Sequence, residues 1–159
     1  MPTKKQYSFI TRWQIKAPVE IVWETMFESE RWSEWWKSVI SVTETVPGDE
    51  MGIGSIRSYT LISPMRYRLT FQILLTERET FRLLKGKVTG QLDGVGSWHF
   101  SESDEVTTVE CHWQVATTVK WMNRFAFLLA PLFVYNHNIV MKQGAKGLAK
   151  KLNAQLISC

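Results

Sequence analysis

A histidine preceded by an asparagine, His137 after Asn136, is the polar pair in this sequence that is best suited to chemistry. A neutral imidazole inside an apolar cavity can act as a general base toward an enolisable ketone, while the neighbouring amide orients the imidazole or the substrate. The same pair can instead be architectural, with its polar atoms hydrogen-bonded to a sheet or to loops. The residue types alone leave both interpretations open.

A second candidate set combines an arginine with phenol groups. Arg57 and Tyr59 are one strand step apart on the same face of a predicted strand, and Tyr67 follows on the neighbouring strand. In an aromatic pocket these side chains would stabilise an oxyanion. Both faces of the predicted strand that carries Arg57 and Tyr59 mix polar and apolar residues, so the pattern does not establish which face is buried.

Aromatic residues are abundant: eight Trp, eight Phe and four Tyr. They either fill a solid core or line a cavity. Besides Asn136 and His137, the candidate ligand-binding residues are Trp13, Phe71, Trp98 and Trp113, and the three tryptophans lie on the apolar side of their predicted strands. A further cluster, Trp32, Trp35 and Trp36, either gates a pocket mouth, touches a membrane interface or packs under an open end of the sheet.

The net charge of +4 and the pI near 9.1 come from dispersed lysines and arginines. Because no block of like charge is present, the composition argues against nucleic-acid binding. Lys142, Lys146, Lys150 and Lys151 predict either a solvated helix face or a weak contact with the anionic headgroups of a membrane surface.

Several reaction classes lack their motifs. The sequence contains no nucleophile elbow, phosphate-binding loop, His/Cys metal spacing or zinc-protease helix. Gly94-Val95-Gly96 lacks the third glycine and the strand-then-helix setting of a dinucleotide site. We therefore expect neither a cofactor nor a metal.

The elements that must position these side chains form an α+β pattern. A first strand, Tyr7–Lys16, precedes two short helices and then a run of alternating segments. Pro18 suits the first turn of a helix that extends to about Ser29. The predicted elements that follow are a helix over 30–37 and strands over 39–46, 54–62, 65–76, 80–89, 92–101 and 107–119.

One long helix is predicted over Ala130–Cys159, entered through Pro131. Gly144 and Gly147 lie within it, although glycine costs about 1 kcal/mol relative to alanine in a helix. We expect these glycines to face the sheet and to permit close approach.

The length of 159 residues predicts one domain over 1–159. The longest apolar stretch, Phe125–Tyr135, is too short to cross a membrane and predicts a buried helix pair. The segment Met1–Gln6 does not resemble a signal peptide, and Cys111 and Cys159 form no disulfide framework. A cytoplasmic protein is the expectation.

The element order and several local motifs resemble the START-like helix-grip (SRPBCC) superfamily, and in particular its polyketide cyclase/dehydrase branch. The residues that carry the resemblance are Ile15–Trp23, Arg31-Trp32, Trp35, Gly52–Ser55, Pro64, Tyr67, Gly94–Trp98, Asn136-His137, Met141, Gly144 and Gly147-Leu148. The resemblance implies a curved antiparallel sheet of about seven strands around the C-terminal helix, with a deep apolar cavity between them. The resemblance implies that family members of differing function share an Asn-His pair, and it therefore favours the architectural interpretation of His137.

The superfamily covers cyclases, hydrolases, ubiquinone-binding proteins and lipid carriers, so it implies the fold more narrowly than the reaction. Our first hypothesis is a protein that binds a lipid, a polyketide or an isoprenoid-like molecule in the cavity. The alternative is a cyclase/dehydrase in which His137, Arg57, Tyr59 or Tyr67 moves protons or stabilises an enolate. A third is an interaction module with a filled core and no pocket. Oligomeric state is left open.

Overall fold

The computed structural model describes residues 4–159. The segment Met1–Gln6, which is not expected to be a signal peptide, lies partly outside the described residues, because residues 1–3 are not described. The main element is an antiparallel sheet of eight strands in the order β2-β3-β4-β5-β6-β7-β1-β8. The strands are β1 Gln6–Lys16, β2 Val39–Val46, β3 Ile56–Ile62, β4 Arg68–Glu79, β5 Leu83–Gly90, β6 Leu92–Ser103, β7 Val106–Thr117 and β8 Gln155–Ser158. The helices are α1 Val19–Phe27, a 3₁₀ helix Ser29–Glu34, α2 Lys120–Arg124 and α3 Ala126–Lys151.

Strand alternation determines which side chains enter the core. In β7, Val109, Cys111 and Val115 are buried, whereas the intervening Glu110 and Gln114 face outward. This period of two is the one expected for a sheet with one solvated face. The predicted helix-grip fold, with two short helices after the first strand and a long helix after the last long strand, is confirmed.

The C-terminal helix differs from its prediction at both ends. It begins at Ala126, so Pro131 lies inside the helix instead of at its entrance. It ends at Lys151 because Asn153 adopts a left-handed conformation with φ 50° and the N–H of Ala154 donates to the carbonyl of Ala149 at 2.9 Å. The residues that follow form β8, which pairs with β1 and adds an eighth strand to the seven expected.

The two helix glycines make close contacts, but chiefly with the turn after the 3₁₀ helix. A Cβ atom on Gly147 would overlap the backbone carbonyl of Trp35, and one on Gly144 would lie 2.5 Å from the Trp36 ring and 2.9 Å from that of Trp13. Of these contacts, the one with Trp13 belongs to the sheet. The prediction of close approach is therefore right, while its partner is mainly the Trp35–Trp36 turn.

The expected buried helix pair over Phe125–Tyr135 is wrong in part. Helices are present, but Phe125, Phe127, Leu128 and Tyr135 are exposed to solvent. Hydrophobicity predicts that a segment prefers an apolar neighbour, but it does not say whether the same chain supplies one.

Candidate functional site: an aromatic cavity beneath the C-terminal helix

A cavity of about 210 Å³ lies between the sheet and the inner face of α3. All strands from β1 to β7 except β5 contribute to its wall, together with the 3₁₀ helix, the β3–β4 turn, α2 and α3. Most of the lining is apolar. The side chains used below are Tyr7, Phe9, Trp32, Trp36, Tyr59, Leu61, Tyr67, Phe71, Trp98, Trp113, Met122, Phe133, Asn136 and His137.

Tryptophans close one end of the cavity. The rings of Trp32 and Trp36 have centroids 5.1 Å apart, and Trp98 lies 6.2 Å from Trp32. The Trp32 indole donates a hydrogen bond to the carbonyl of Met26 at 3.0 Å, and that of Trp36 donates to the carbonyl of Val140 at 2.9 Å. Trp32 and Trp36 are thus buried and held in place by hydrogen bonds, whereas Trp35 of the same cluster is half-buried.

Trp13 lies behind this end instead of in the cavity wall. Its side chain is 1% exposed, and its ring packs against Trp36 at 5.5 Å and Trp98 at 5.3 Å. The structure therefore places Trp13 in the core, in contact with residues that do line the cavity. The strand alternation placed Trp13 on the apolar side of β1, which is correct, but alternation does not indicate how far along the strand a cavity extends.

A stack of rings forms the wall on the sheet side. Tyr59 and Phe71 are parallel within 7° with centroids 5.5 Å apart, and Phe71 lies 5.5 Å from Trp113. Gly96 makes room for this wall, because a Cβ atom there would be 2.5 Å from the Trp113 ring. Phe71, Trp98 and Trp113 line the cavity, as do Asn136 and His137.

Three residues of the cavity wall carry a buried polar atom without a hydrogen-bond partner: Tyr7 Oη, Asn136 Oδ1 and His137 Nε2. Tyr7 and Phe9 are two residues apart on β1 and stack with centroids 6.3 Å apart, while the Phe9 ring lies 3.9 Å from that of His137. Buried polar groups are normally paired. We define Tyr7, Asn136 and His137 as the polar wall, the part of the cavity wall whose side chains carry these unpartnered atoms.

His137 does not make the hydrogen bond expected of it at Nε2. Its ring instead stacks on Phe9 with an interplanar angle of 15°. Burial lowers the pKa of His137 to about 4, because an imidazolium ion would lose hydration there. The ring is neutral at physiological pH.

Arg57 is held away from the cavity wall. Its Nη1 donates to the carbonyl of Phe27 at 2.8 Å and to Ser29 Oγ at 2.9 Å, and Glu44 and Glu30 lie 3.7 and 3.9 Å from its Nε. The Tyr59 hydroxyl also donates to Ser29 Oγ, at 3.0 Å. Burial raises the pKa of Tyr59. Arg57 and the Tyr59 hydroxyl thus connect β3 to the junction between α1 and the 3₁₀ helix.

Tyr67 lines the cavity from the β3–β4 turn, one residue before β4 begins. Its ring contacts Trp121 of α2 edge-on, with centroids 6.4 Å apart. Of the four candidate catalytic residues, Tyr59, Tyr67 and His137 border the cavity, whereas Arg57 does not.

Sequence reasoning missed Tyr7 and Phe9. Both share the parity of Trp13 on β1, and that parity was the available signal. Across residues 4–159, no group of three or more His, Cys, Asp or Glu side chains has the arrangement of a metal site. No helix in that part of the chain is long and apolar enough to cross a membrane.

A family model described as polyketide cyclase/dehydrase and lipid transport matches residues 8–153. The chain belongs to this family, and the resemblance inferred from its motifs is confirmed. No curated protein matches the sequence.

Solved structures share the fold at low sequence identity. The aromatase/cyclase ZhuI from Streptomyces sp. R1128 has a TM-score of 0.73 and 12% identity, over 92% of this chain and 95% of that one. The di-domain aromatase/cyclase BexL of the BE-7585A biosynthetic pathway has a TM-score of 0.70 and 19% identity over 92% of this chain, which spans only 49% of that protein. Major latex-like protein 151 from Panax ginseng has a TM-score of 0.61 and 12% identity, over 88% and 95% of the two chains.

Proposed function

We propose that this protein binds a compact, mostly apolar small molecule bearing a polar group, in the cavity between the sheet and α3. The observation that carries the proposal is the polar wall: three cavity-lining residues with unpartnered buried polar atoms in an otherwise aromatic enclosure. An unsatisfied buried polar group costs about 1–3 kcal/mol. A ligand that pairs with even one of these atoms recovers part of that free energy, in addition to the burial of its own apolar surface.

The cavity volume limits the size of the ligand. At about 210 Å³ it exceeds the roughly 150 Å³ of an engineered cavity that binds benzene, but it is smaller than the roughly 300–1,000 Å³ of pockets for drug-sized ligands. One or two fused rings or a short isoprenoid chain fit this volume. A long-chain lipid would need the cavity to expand.

Binding is favoured over catalysis by the state of the polar groups. Arg57 donates from Nη1 to Phe27 and Ser29, lies within 4 Å of two carboxylates and does not line the cavity, so it is poorly placed to stabilise an enolate there. A base is most effective when its pKa is near the working pH, and burial lowers the pKa of His137 to about 4. These groups suit the recognition of a neutral ligand.

A cyclase or dehydrase remains the second candidate because one observation favours it. The neutral His137 ring borders the cavity with an unpartnered Nε2, which is the arrangement that a general base requires once a substrate is bound. In this mechanism the Tyr67 hydroxyl, which belongs to a residue lining the same cavity, would donate to the developing enolate.

We also propose that residues 1–159 act as one domain in the cytosol. One continuous sheet connects strands from both ends of the described chain, since β1 pairs with β8. Both cysteines are free thiols, with Cys111 buried and Cys159 exposed, as is usual in a reducing compartment.

Calorimetric titration with naphthalene and 2-naphthol tests the proposed binding function. The two compounds differ by one hydroxyl, so the polar wall predicts tighter binding of 2-naphthol by the worth of one hydrogen bond, about 0.5–1.5 kcal/mol. Tyr7→Phe should reduce this preference. Tyr135→Phe, which removes a hydroxyl from the outside of α3, is the matched control and should not. The proposal would be overturned if neither naphthalene nor 2-naphthol bound to the wild type.

Native mass spectrometry of protein purified from its own source would identify the natural ligand. We expect a bound mass that is lost on denaturation. Turnover of that ligand by the wild type, abolished in His137→Gln with binding retained, would establish the second candidate in place of the first.

A further inference from the structure

A group of large apolar side chains on α2, α3 and the β3–β4 turn is exposed to solvent. The exposed fraction is 75% for Phe127, 63% for Leu128, 60% for Met65 and 52% for Trp121. We call this set the outer apolar face. Its members are Met65, Trp121, Phe125, Phe127, Leu128, Pro131, Val134 and Tyr135.

The helical members of the outer apolar face follow a regular spacing. Successive members lie one, three, three and one positions further along the chain, which places them along one side of α3: Phe127, Leu128, Pro131, Val134 and Tyr135. Phe133 and other residues on the opposite side line the cavity. The first ten residues of α3, 126–135, are therefore apolar on both sides. A helix that is apolar all round needs an apolar neighbour on each side, and the described chain covers only one.

Basic residues accompany the outer apolar face. Lys120 and Arg124 are one helical turn apart on α2, and Arg66 and Arg68 flank Tyr67 in and after the β3–β4 turn; all four are exposed. The acidic residue Asp93, near the start of β6, forms a salt bridge with Lys4, with 3.9 Å between Oδ2 and Nζ.

The charge distribution along the chain has the same bias. Residues 111–159 contain six Lys and Arg and no Asp or Glu, whereas residues 1–110 contain the other thirteen basic residues and all fifteen acidic ones. All the Lys, Arg, Asp and Glu side chains in the last third of the chain, which includes α2 and α3, are therefore basic ones.

The outer apolar face adjoins residues that line the cavity. Trp121 precedes the lining residue Met122 and contacts the ring of Tyr67, and Met65 is two residues from Tyr67. Val134 follows the lining residue Phe133. A partner seated on this face would thus be next to the α2 and β3–β4 walls of the cavity.

We propose that the outer apolar face docks on the surface of an anionic lipid bilayer. Apolar and aromatic side chains enter the headgroup–acyl boundary, while nearby lysines and arginines attract anionic headgroups, as in other interfacial helices. A second copy of this chain fits less well, because like charges from Lys120, Arg124, Arg66 and Arg68 would surround the contact. The docking residues differ from the Lys142–Lys151 stripe, and docking does not require a ligand in the cavity.

Co-sedimentation with lipid vesicles tests this proposal. The full-length protein is mixed with vesicles of phosphatidylcholine alone or of phosphatidylcholine with phosphatidylglycerol. We expect binding to the anionic vesicles, weakened by salt, and a loss of about tenfold or more in Phe127→Gln/Leu128→Gln, since two large side chains no longer enter the bilayer. Lys120→Gln/Arg124→Gln should also weaken binding.

Two matched controls accompany these variants. Ile10→Thr changes an apolar residue of β1 that is 69% exposed and lies outside this face, and Lys142→Gln/Lys146→Gln removes two charges from the later part of α3. Both should bind like the wild type. Circular dichroism and naphthol titration would verify that every variant is folded with its cavity intact.

Three outcomes would overturn docking. The first is no binding to anionic vesicles by a folded wild type. The second is equal loss in Phe127→Gln/Leu128→Gln and in Ile10→Thr. The third is a wild-type dimer in sedimentation-velocity runs that Phe127→Gln/Leu128→Gln converts to monomer, without vesicle binding by either protein; this result would assign the face to a second copy of the chain.

Discussion

The ring of His137 lies nearly parallel to the ring of Phe9, with centroids 3.9 Å apart. This contact joins α3 to β1 beside the cavity and covers one face of the imidazole with an apolar ring. Burial accordingly lowers the pKa of His137 to about 4. Stacking on Phe9 supports a structural contribution of His137 to the contact between α3 and β1, while its Nε2 has no hydrogen-bond partner.

The lowered pKa makes folding stability depend on pH. Between the unfolded value near 6.5 and the folded value of about 4, the unfolded state binds more protons than the folded state. The free energy of unfolding should therefore be highest above about pH 6.5 and fall as the pH decreases toward 4, with a maximum slope of about 1.4 kcal/mol per pH unit.

Urea unfolding of the wild type and His137→Gln across this range measures the effect. At neutral pH the variant should lose only the stacking term, about 0.5–1.5 kcal/mol, and its stability should change less with pH. Burial also lowers the pKa of His99, so that residue contributes to the pH dependence of both proteins. Subtracting the variant's curve from the wild-type curve removes this shared part and leaves the contribution of His137. Parallel pH curves for the two proteins would contradict the assignment.

Gly147→Ala should destabilise the protein because a Cβ atom at that position overlaps the carbonyl of Trp35. Relief requires α3 to move away from the Trp35–Trp36 turn, at a cost of about 1–3 kcal/mol. Lys146→Ala, at the exposed neighbouring position, is the control and should change stability little. Thermal melts of both variants check this, and an unchanged midpoint for Gly147→Ala would show that the approach is not close.

Arg57→Gln distinguishes a structural arginine from a catalytic one. The substitution removes charge-assisted hydrogen bonds to Phe27 and Ser29, each worth about 1.5–3 kcal/mol. We expect lower stability in urea unfolding but an unchanged affinity for 2-naphthol. Arg68→Gln, at an exposed position, controls for the loss of charge. A stable Arg57→Gln variant with weakened binding would return Arg57 to the ligand site.

Local pattern predicted the sheet well and the contacts between distant segments poorly. The alternation of Val109, Cys111 and Val115 identified β7 because a strand has a period of two. No local signal pairs Arg57 with Ser29, which is 28 residues away. The end of α3 depends on the backbone conformation of Asn153, which a continuing apolar pattern through Leu156 concealed.

The candidate site was predicted in part for the same reason. Phe71, Trp98 and Trp113 are among the candidate ligand-binding residues, and they line the cavity. Tyr7 was missed because a lone phenol on a strand carries no motif. The depth of Trp13, behind Trp36 and Trp98, follows from how three elements meet, which no single element encodes.

The most direct test of ligand binding in the cavity is a titration of 2-naphthol into wild type, Leu61→Trp and Leu83→Trp. Leu61 lines the cavity, whereas Leu83 is a half-buried residue of β5 that does not. If the cavity is the binding site, the indole at 61 fills it and weakens affinity by about tenfold or more, while Leu83→Trp binds like the wild type. Equal affinity of all three folded proteins would contradict the account.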